Sequence, residues 1–243
     1  MFQSSQSYDS SYSKSYDAGL RQYMLKIYNY IAIALAITGV AAYASIATPL
    51  ASLFYNVVGS QIVGINTLGY IMMFSPLAIG LYFSFGFGSM SLEKAKTLFW
   101  IYSACMGVSL SSLALIYTGV SIVKTFFICS AAFGGMSLYG YTTNKDLTAF
   151  STTLTIGVVG LLIAGIINVF LRSPALYFAT SLIGVGIFMG LIAYDTQKIK
   201  NVYYSTGGGS VAQKFAIMSA FQLYLDFINL FVYMLRLTGD RKE

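Results

Sequence analysis

The sequence predicts an all-α polytopic membrane protein with seven transmembrane helices, and three observations carry that prediction. Hydrophobic residues make up 57% of the chain and charged residues only 9%, against roughly 25% charged in a soluble domain. No Lys, Arg, Asp or Glu lies between Lys26 and Glu93, a stretch that holds two membrane helices of about 20 residues each. Two of the eight acidic residues, Asp195 and Asp226, stand inside long apolar segments, where a charged side chain costs at least ~2.5 kcal/mol and marks a pathway or a partner.

Residues 1–22 read as a Ser/Tyr-rich cytoplasmic tail, expected to be disordered. The transmembrane domain follows at 23–238, and 239–243 form a short C-terminal tail. The tail lacks the basic-then-apolar order of a cleavable signal, so the first apolar run is expected to stay as an uncleaved helix. That helix is placed at 27–47 and ends at Thr48-Pro49. The second, at 68–87, contains Pro76, an expected kink, with Gly86 and Gly88 weakening its end.

The segment SLEKAK is expected to lead into a third helix at 98–117, and a fourth runs over 120–141 with Lys124 near its entrance. TTNKDLTA separates it from a fifth at 150–171, and Arg172-Ser173-Pro174 turns into a sixth at 175–199. The STGGGS segment precedes a seventh at 211–237. Gly186 and Gly190 on the sixth form a small-xxx-small pair that permits close helix approach.

With the N-terminus in the cytoplasm, nine basic residues fall inside: Lys14, Arg21, Lys26, Lys94, Lys96, Lys145, Lys198, Lys200 and Lys214. Five fall outside, Lys124, Arg172, Arg236, Arg241 and Lys242, the last three at the C-terminal end of the chain. Loop charge alone therefore favours a re-entrant last segment, whereas its length favours a full span. The net charge of +6 is scattered along the chain and forms no nucleic-acid patch. The chain contains no histidine, which excludes His-based catalytic dyads and His-ligated metals. A pH response near neutrality then has to come from a carboxylate in an unusual environment. Cys105 and Cys129 sit in apolar runs without a CxxC spacing and read as packing residues.

On the seventh helix Ser219, Gln222, Asp226, Asn229 and Tyr233 share one face. Such a polar seam suits a helix lining a cavity, with Gln222, Asn229 and Tyr233 as candidate pore-lining residues. Asn168 in the fifth helix reads as an amide that ties helices together. Two carboxylates brought within a few ångströms do not readily both ionise, so Asp195 and Asp226 together are a candidate pH sensor sharing one proton. When both are ionised they repel or recruit a cation, and carboxylate oxygens suit Ca²⁺. Depth opposes the pairing: Asp195 lies three residues before Lys198 and Asp226 twelve after Lys214. If both lysines marked one membrane plane, the carboxylates would differ in depth by roughly 13 Å at 1.5 Å rise per residue.

Three segments resemble the Bax inhibitor-1 (transmembrane Bax inhibitor motif) family in its bacterial, YccA/YetJ-like members: MSLYGYTTNKDL at 136–147, AYDTQKIK at 193–200 and LYLDFINLFVYMLRLTG at 223–239. The resemblance implies a seven-helix bundle with the last helix enclosed by the other six. It also implies a hydrogen-bonded di-aspartyl pH sensor at Asp195 and Asp226, and a pH-sensitive Ca²⁺ leak across the bacterial inner membrane. Related proteins place an arginine at the end of the second helix, where it latches onto the aspartate of the sixth. Here that region reads YFSFGFGSMSLEKAK, and Lys94 is its first cation.

The expected function is thus a non-enzymatic cation leak, without cofactor, whose partners are the bilayer and Ca²⁺ or H⁺. The alternative is a non-conducting regulator that binds a membrane protease or a stress or cell-death partner. An intramembrane aspartyl protease is disfavoured: Tyr194-Asp195 matches its YD pair, but Leu223-Tyr224-Leu225-Asp226 replaces GxGD, and Pro174-Ala175-Leu176 precedes both aspartates instead of following them.

Overall fold

The computed structural model describes residues 18–242 in full, except 60, 208 and 210. The expectation of a disordered tail lies, for residues 1–17, outside the described residues. Residues 18–22 are already helical, and Leu20 is buried.

Among the described residues, seven helical segments are long and apolar enough to cross a membrane. The first, α1, spans Ala18–Ala47. Its last turns bond back on themselves, with Ser45 and Thr48 hydroxyls donating to the carbonyls of Ala41 and Ala44. A short helix α2 (Ala51–Phe54) follows, then an antiparallel hairpin of β1 (Tyr55–Val58) and β2 (Gln61–Ile65). Gly59 takes the positive φ of 65° at its turn, a conformation that costs glycine little. This hairpin was not foreseen, because its residues lie in an apolar stretch with no clean alternation.

The second span, α3 (Thr67–Gly86), opens with the Asn66 side chain accepting the Gly69 N–H and carries Pro76 inside it. The third span, α4 (Leu92–Leu110), starts earlier than expected. Ser91 accepts the Lys94 N–H as an N-cap and Glu93 sits in the first turn, so SLEKAK is a helix start. A short α5 (Leu113–Ile116) precedes α6 (Gly119–Thr142), and α7 (Ser151–Leu171) ends at Arg172 in the left-handed region. The last two spans are α8 (Pro174–Thr206) and α9 (Ser210–Thr238). The N-cap Ser173 and Pro174 start α8, which runs one turn and more beyond its expected end. At 29 residues α9 is long enough for a full span.

Burial is concentrated in the last helix. Of the most apolar window of α9, 67% is buried, against 28% or less in each of the other six. It packs against α1, α4, α6 and α8. Phe221 of α9 wedges against Phe83 of α3 and against Phe99 and Tyr102 of α4, with ring centroids 4.3, 5.7 and 4.9 Å away. The Tyr224 hydroxyl meets Thr38 Oγ1 of α1 at 2.7 Å, and Thr38 donates on to the Ser103 carbonyl of α4. One bonded chain therefore ties three helices at the centre.

Helix directions alternate, so the α8–α9 turn shares one end of the bundle with the start of α1, the α3–α4 turn and the α6–α7 loop. Lys214 donates to the Gly88 carbonyl at this end, and Lys200 to that of Tyr141. The hairpin, the α5–α6 turn, Arg172 and the C-terminus lie at the opposite end. There the chain end pairs with the α5–α6 turn: Thr118 N–H donates to the Asp240 carbonyl and Lys242 N–H to that of Ile116.

The glycine pattern works differently from the expectation. A Cβ on Gly186 would meet nothing, and one on Gly190 would meet Leu154 of α7. The close approach between α8 and α9 is instead at Gly184.

Candidate functional site: a carboxylate pair between the last two helices

The α8–α9 hairpin sets the site. Tyr233 of α9 lies against Gly184 and stacks on Phe188 of α8, with ring centroids 5.7 Å apart. Seven residues further along each helix, in opposite directions, stand Asp195 and Asp226. Their carboxyl groups face each other closely enough to interact directly. Asp195 is half-buried, whereas Asp226 is only 7% exposed and its Oδ2 has no hydrogen-bond partner.

The depth mismatch disappears because the lysines do not mark one plane. With 33 residues α8 is ~50 Å long at 1.5 Å per residue, well beyond the ~30 Å hydrocarbon core. Lys200 reaches a backbone carbonyl on α6 and Lys214 one at the end of α3, so each head group sits where its stem allows it to snorkel.

Charge around the pair comes from Lys198, one turn beyond Asp195, which acts on both carboxyl groups. Lys94 does not take the place of the family's arginine. It lies 5.8 Å above the Tyr82 ring, and its neighbour Lys96 pairs with Glu93 at 2.8 Å. The positive charge near the carboxylates is therefore carried by the same helix as Asp195.

The remaining seam residues take separate places. Asn229 donates to the Leu225 carbonyl of its own helix at 2.8 Å. Tyr233 is used in the α8 contact just described. Gln222 is half-buried. Ser219 is buried and faces the Tyr23 hydroxyl of α1. Cys129 is fully buried in α6, a packing position.

A residue that sequence reasoning passed over holds the site's other side. Gln197 of α8 accepts the Leu147 N–H and donates to the Lys145 carbonyl, both at 2.8 Å. It thereby clamps the α6–α7 loop two residues from Asp195. Next to it, Gly140 of α6 touches the Ala193 backbone so closely that a Cβ would stand 2.2 Å from the carbonyl oxygen. The segments 136–147 and 193–200 are thus docked against each other. Only the length of the polar string AYDTQKIK hinted at this.

Among the described residues, four buried side-chain polar atoms lack a hydrogen-bond partner: Tyr23 Oη, Ser137 Oγ, Thr196 Oγ1 and Asp226 Oδ2. They come from α1, α6, α8 and α9, so the polar interior is shared by the last helix and three helices packed on it. Unpaired buried polar atoms are uncommon and cluster where function needs them. No cluster of three or more metal-ligating side chains occurs among the described residues. Asp195 and Asp226 are thus the acidic ligands available to a cation at the pair, and neutral oxygens or water would complete its shell.

Comparison with known proteins identifies the family. The sequence profile of the family described as inhibitor of apoptosis-promoting Bax1 matches residues 20–243. An uncharacterized protein of Rickettsia prowazekii is 54% identical, over 96% of this chain and 95% of its own. One from Caulobacter vibrioides is 44% identical over 94% and 92%. The inner membrane protein YbhL of Escherichia coli K12 is 39% identical over 93% and 94%. The chain is an integral membrane protein and belongs to the Bax inhibitor-1 family.

Proposed function

We propose that this protein is a cation leak, with Ca²⁺ as the permeant ion, in a bacterial inner membrane, its conduction set by a proton shared between Asp195 and Asp226. The observation that carries the reading is Asp226 Oδ2, buried and unpartnered, on a carboxyl that faces a second carboxyl across the α8–α9 contact. A structural hydrogen-bonding role would be met more cheaply by an amide or an apolar pair.

With one proton between them, the two carboxyls join α8 to α9 by a hydrogen bond. Loss of that proton leaves two negative charges facing each other, which either part the helices or bind a cation. Lys198 moderates the repulsion as a point charge. The N-terminus is assigned to the cytoplasm, which puts the lysine-rich α8–α9 end inside. The name of the E. coli relative supports the inner membrane.

The test is Ca²⁺ flux into liposomes holding the purified protein, between about pH 5 and 8, with Asp195→Asn and Asp226→Asn alongside. The expected result is flux above protein-free liposomes that varies with pH in the parent and is flat with pH in both variants. An unchanged pH profile in Asp226→Asn overturns the sensor assignment. Absence of flux under every condition favours the regulator reading, in which loops and tail bind a membrane protease or a stress or cell-death partner.

A further inference from the structure

α1 packs on α4 and α9, and α6 packs on α8 and α9, which leaves a cleft between α1 and α6. Its volume is about 460 Å³, inside the ~300–1,000 Å³ range of small-molecule sites. The walls are Met24 and Leu25 from α1 and Phe133 and Leu138 from α6. Leu25 and Leu138 are more than half exposed, so in a bilayer the cleft opens toward hydrocarbon. Gly134 also lines it, and a Cβ there would meet nothing.

The polar groups of the cleft are graded along its length. At the α8–α9 end lies Arg21, exposed and without a carboxylate partner among the described residues. Tyr141 lines the same end, and its carbonyl holds the Lys200 ammonium at 3.1 Å. Deeper in, Ser137 is 5% exposed and its hydroxyl makes no hydrogen bond. The Tyr28 hydroxyl lies near the hydroxyls of both Ser137 and Thr196 of α8.

We propose that this cleft is a binding site for a membrane phospholipid with an anionic headgroup. The phosphate pairs with Arg21, with Lys200 adding positive potential beside it. One acyl chain lies along Phe133 and Leu138 over the open face of Gly134. Ser137 donates its unused proton to an ester oxygen. Each feature selects the same ligand: the unpaired cation asks for an anion, the apolar walls for a chain, and the buried hydroxyl for an acceptor near the junction of the two. The site stands on its own geometry and does not depend on conduction.

Native mass spectrometry of the full chain, released from mild detergent with matched phosphatidylglycerol or phosphatidylethanolamine, tests it. The expected result is one retained phosphatidylglycerol, held roughly fivefold better than phosphatidylethanolamine, the factor one basic side chain contributes at an anionic lipid surface. Arg21→Gln removes that preference and Arg21→Lys keeps it, both being exposed substitutions that leave the core alone. Gly134→Leu fills the cleft and reduces retention of both lipids, whereas Arg236→Gln, at the opposite end of the bundle, changes neither. Equal retention of the two lipids by the parent protein, or an undiminished preference in Arg21→Gln, overturns the proposal. Undiminished retention in Gly134→Leu places the lipid elsewhere and overturns it as well.

Discussion

The Tyr233 ring of α9 lies flat on Gly184 of α8, so close that a Cβ at position 184 would stand 2.7 Å from its carbons. This contact sets how the last two helices register, and the register puts Asp226 opposite Asp195. Gly184→Ala is expected to cost about 1–3 kcal/mol through overpacking, toward the lower end because the ring can tilt. Gly186→Ala, with open space around it, is expected to stay within ~0.5 kcal/mol. Melting temperatures in detergent compare the two, and an equal loss in both would remove the special role given to Gly184.

The second close contact leaves less room to adjust. At Gly140 the obstacle is the Ala193 backbone, which cannot rotate away as a side chain does. Gly140→Ala is therefore expected to exceed Gly184→Ala, at about 3 kcal/mol or more, and to loosen the α6–α7 loop that Gln197 holds. Faster proteolysis between Lys145 and Ser151 would report that loosening. A variant as stable as the parent would contradict the crossing.

Much of this was legible in the chain, for reasons that can be stated. The seven spans follow from where charge is absent, and membrane solvation punishes exceptions hard enough to make that rule dependable. Asp195 and Asp226 stand out by the same rule. What the chain did not disclose is set by tertiary packing. The spacing of Gly186 and Gly190 matches a close-approach pattern, but which face of α8 meets α9 depends on the whole bundle, and Gly184 was the residue used. Lysines misled the depth argument because a flexible stem lets the ammonium find a carbonyl above or below its Cα. The 55–65 hairpin and the Gln197 clamp were missed because neither alternation nor a lone amide says what will lie beside it.

Tyr224 and Thr38 make a different kind of test, since their 2.7 Å hydrogen bond is buried and sits on the path from α9 through α1 to α4. Tyr224→Phe keeps the ring contacts with Phe99 and Tyr102 and removes only the hydroxyl. The expected loss is about 0.5–1.5 kcal/mol, the net worth of one hydrogen bond, because Thr38 still reaches the Ala34 and Ser103 carbonyls. Thr38→Val should cost less in the Tyr224→Phe background than in the parent, where it also strands the Tyr224 hydroxyl. Strictly additive losses would show that the pair is not coupled.

At the chain end, Ser121 and Asp240 bond reciprocally. The Ser121 hydroxyl donates to Asp240 Oδ2 at 3.1 Å, and the Asp240 N–H donates to the same Ser121 oxygen at 3.0 Å. This holds the last residues against the α5–α6 turn. Ser121→Ala is expected to remove about 0.5–1.5 kcal/mol of local stability. Hydrogen exchange at the amides of Thr118 and Lys242 should then quicken together, as both bonds belong to that pairing. Exchange unchanged at both positions would mean the backbone pairing stands without the side-chain pair.

Asp146, outside the membrane spans, supplies a pH test with a definite sign. Its Oδ1 accepts the Thr148 N–H at 2.9 Å ahead of the turn Leu147–Phe150, and that backbone hydrogen bond holds the carboxyl below its usual range. A carboxyl group whose value falls on folding stabilises the fold at pH above the unfolded value of about 3.9, and the contribution is lost as pH drops through the folded value. Asp146→Ala should therefore melt below the parent at neutral pH, with the gap closing as the pH falls below about 4. Asp146→Asn keeps an acceptor at the cap and should give a smaller gap. The gap to Asp146→Ala, followed by thermal melts at stepped pH, must not widen on acidification. If it does, the carboxylate is not the form that caps the turn.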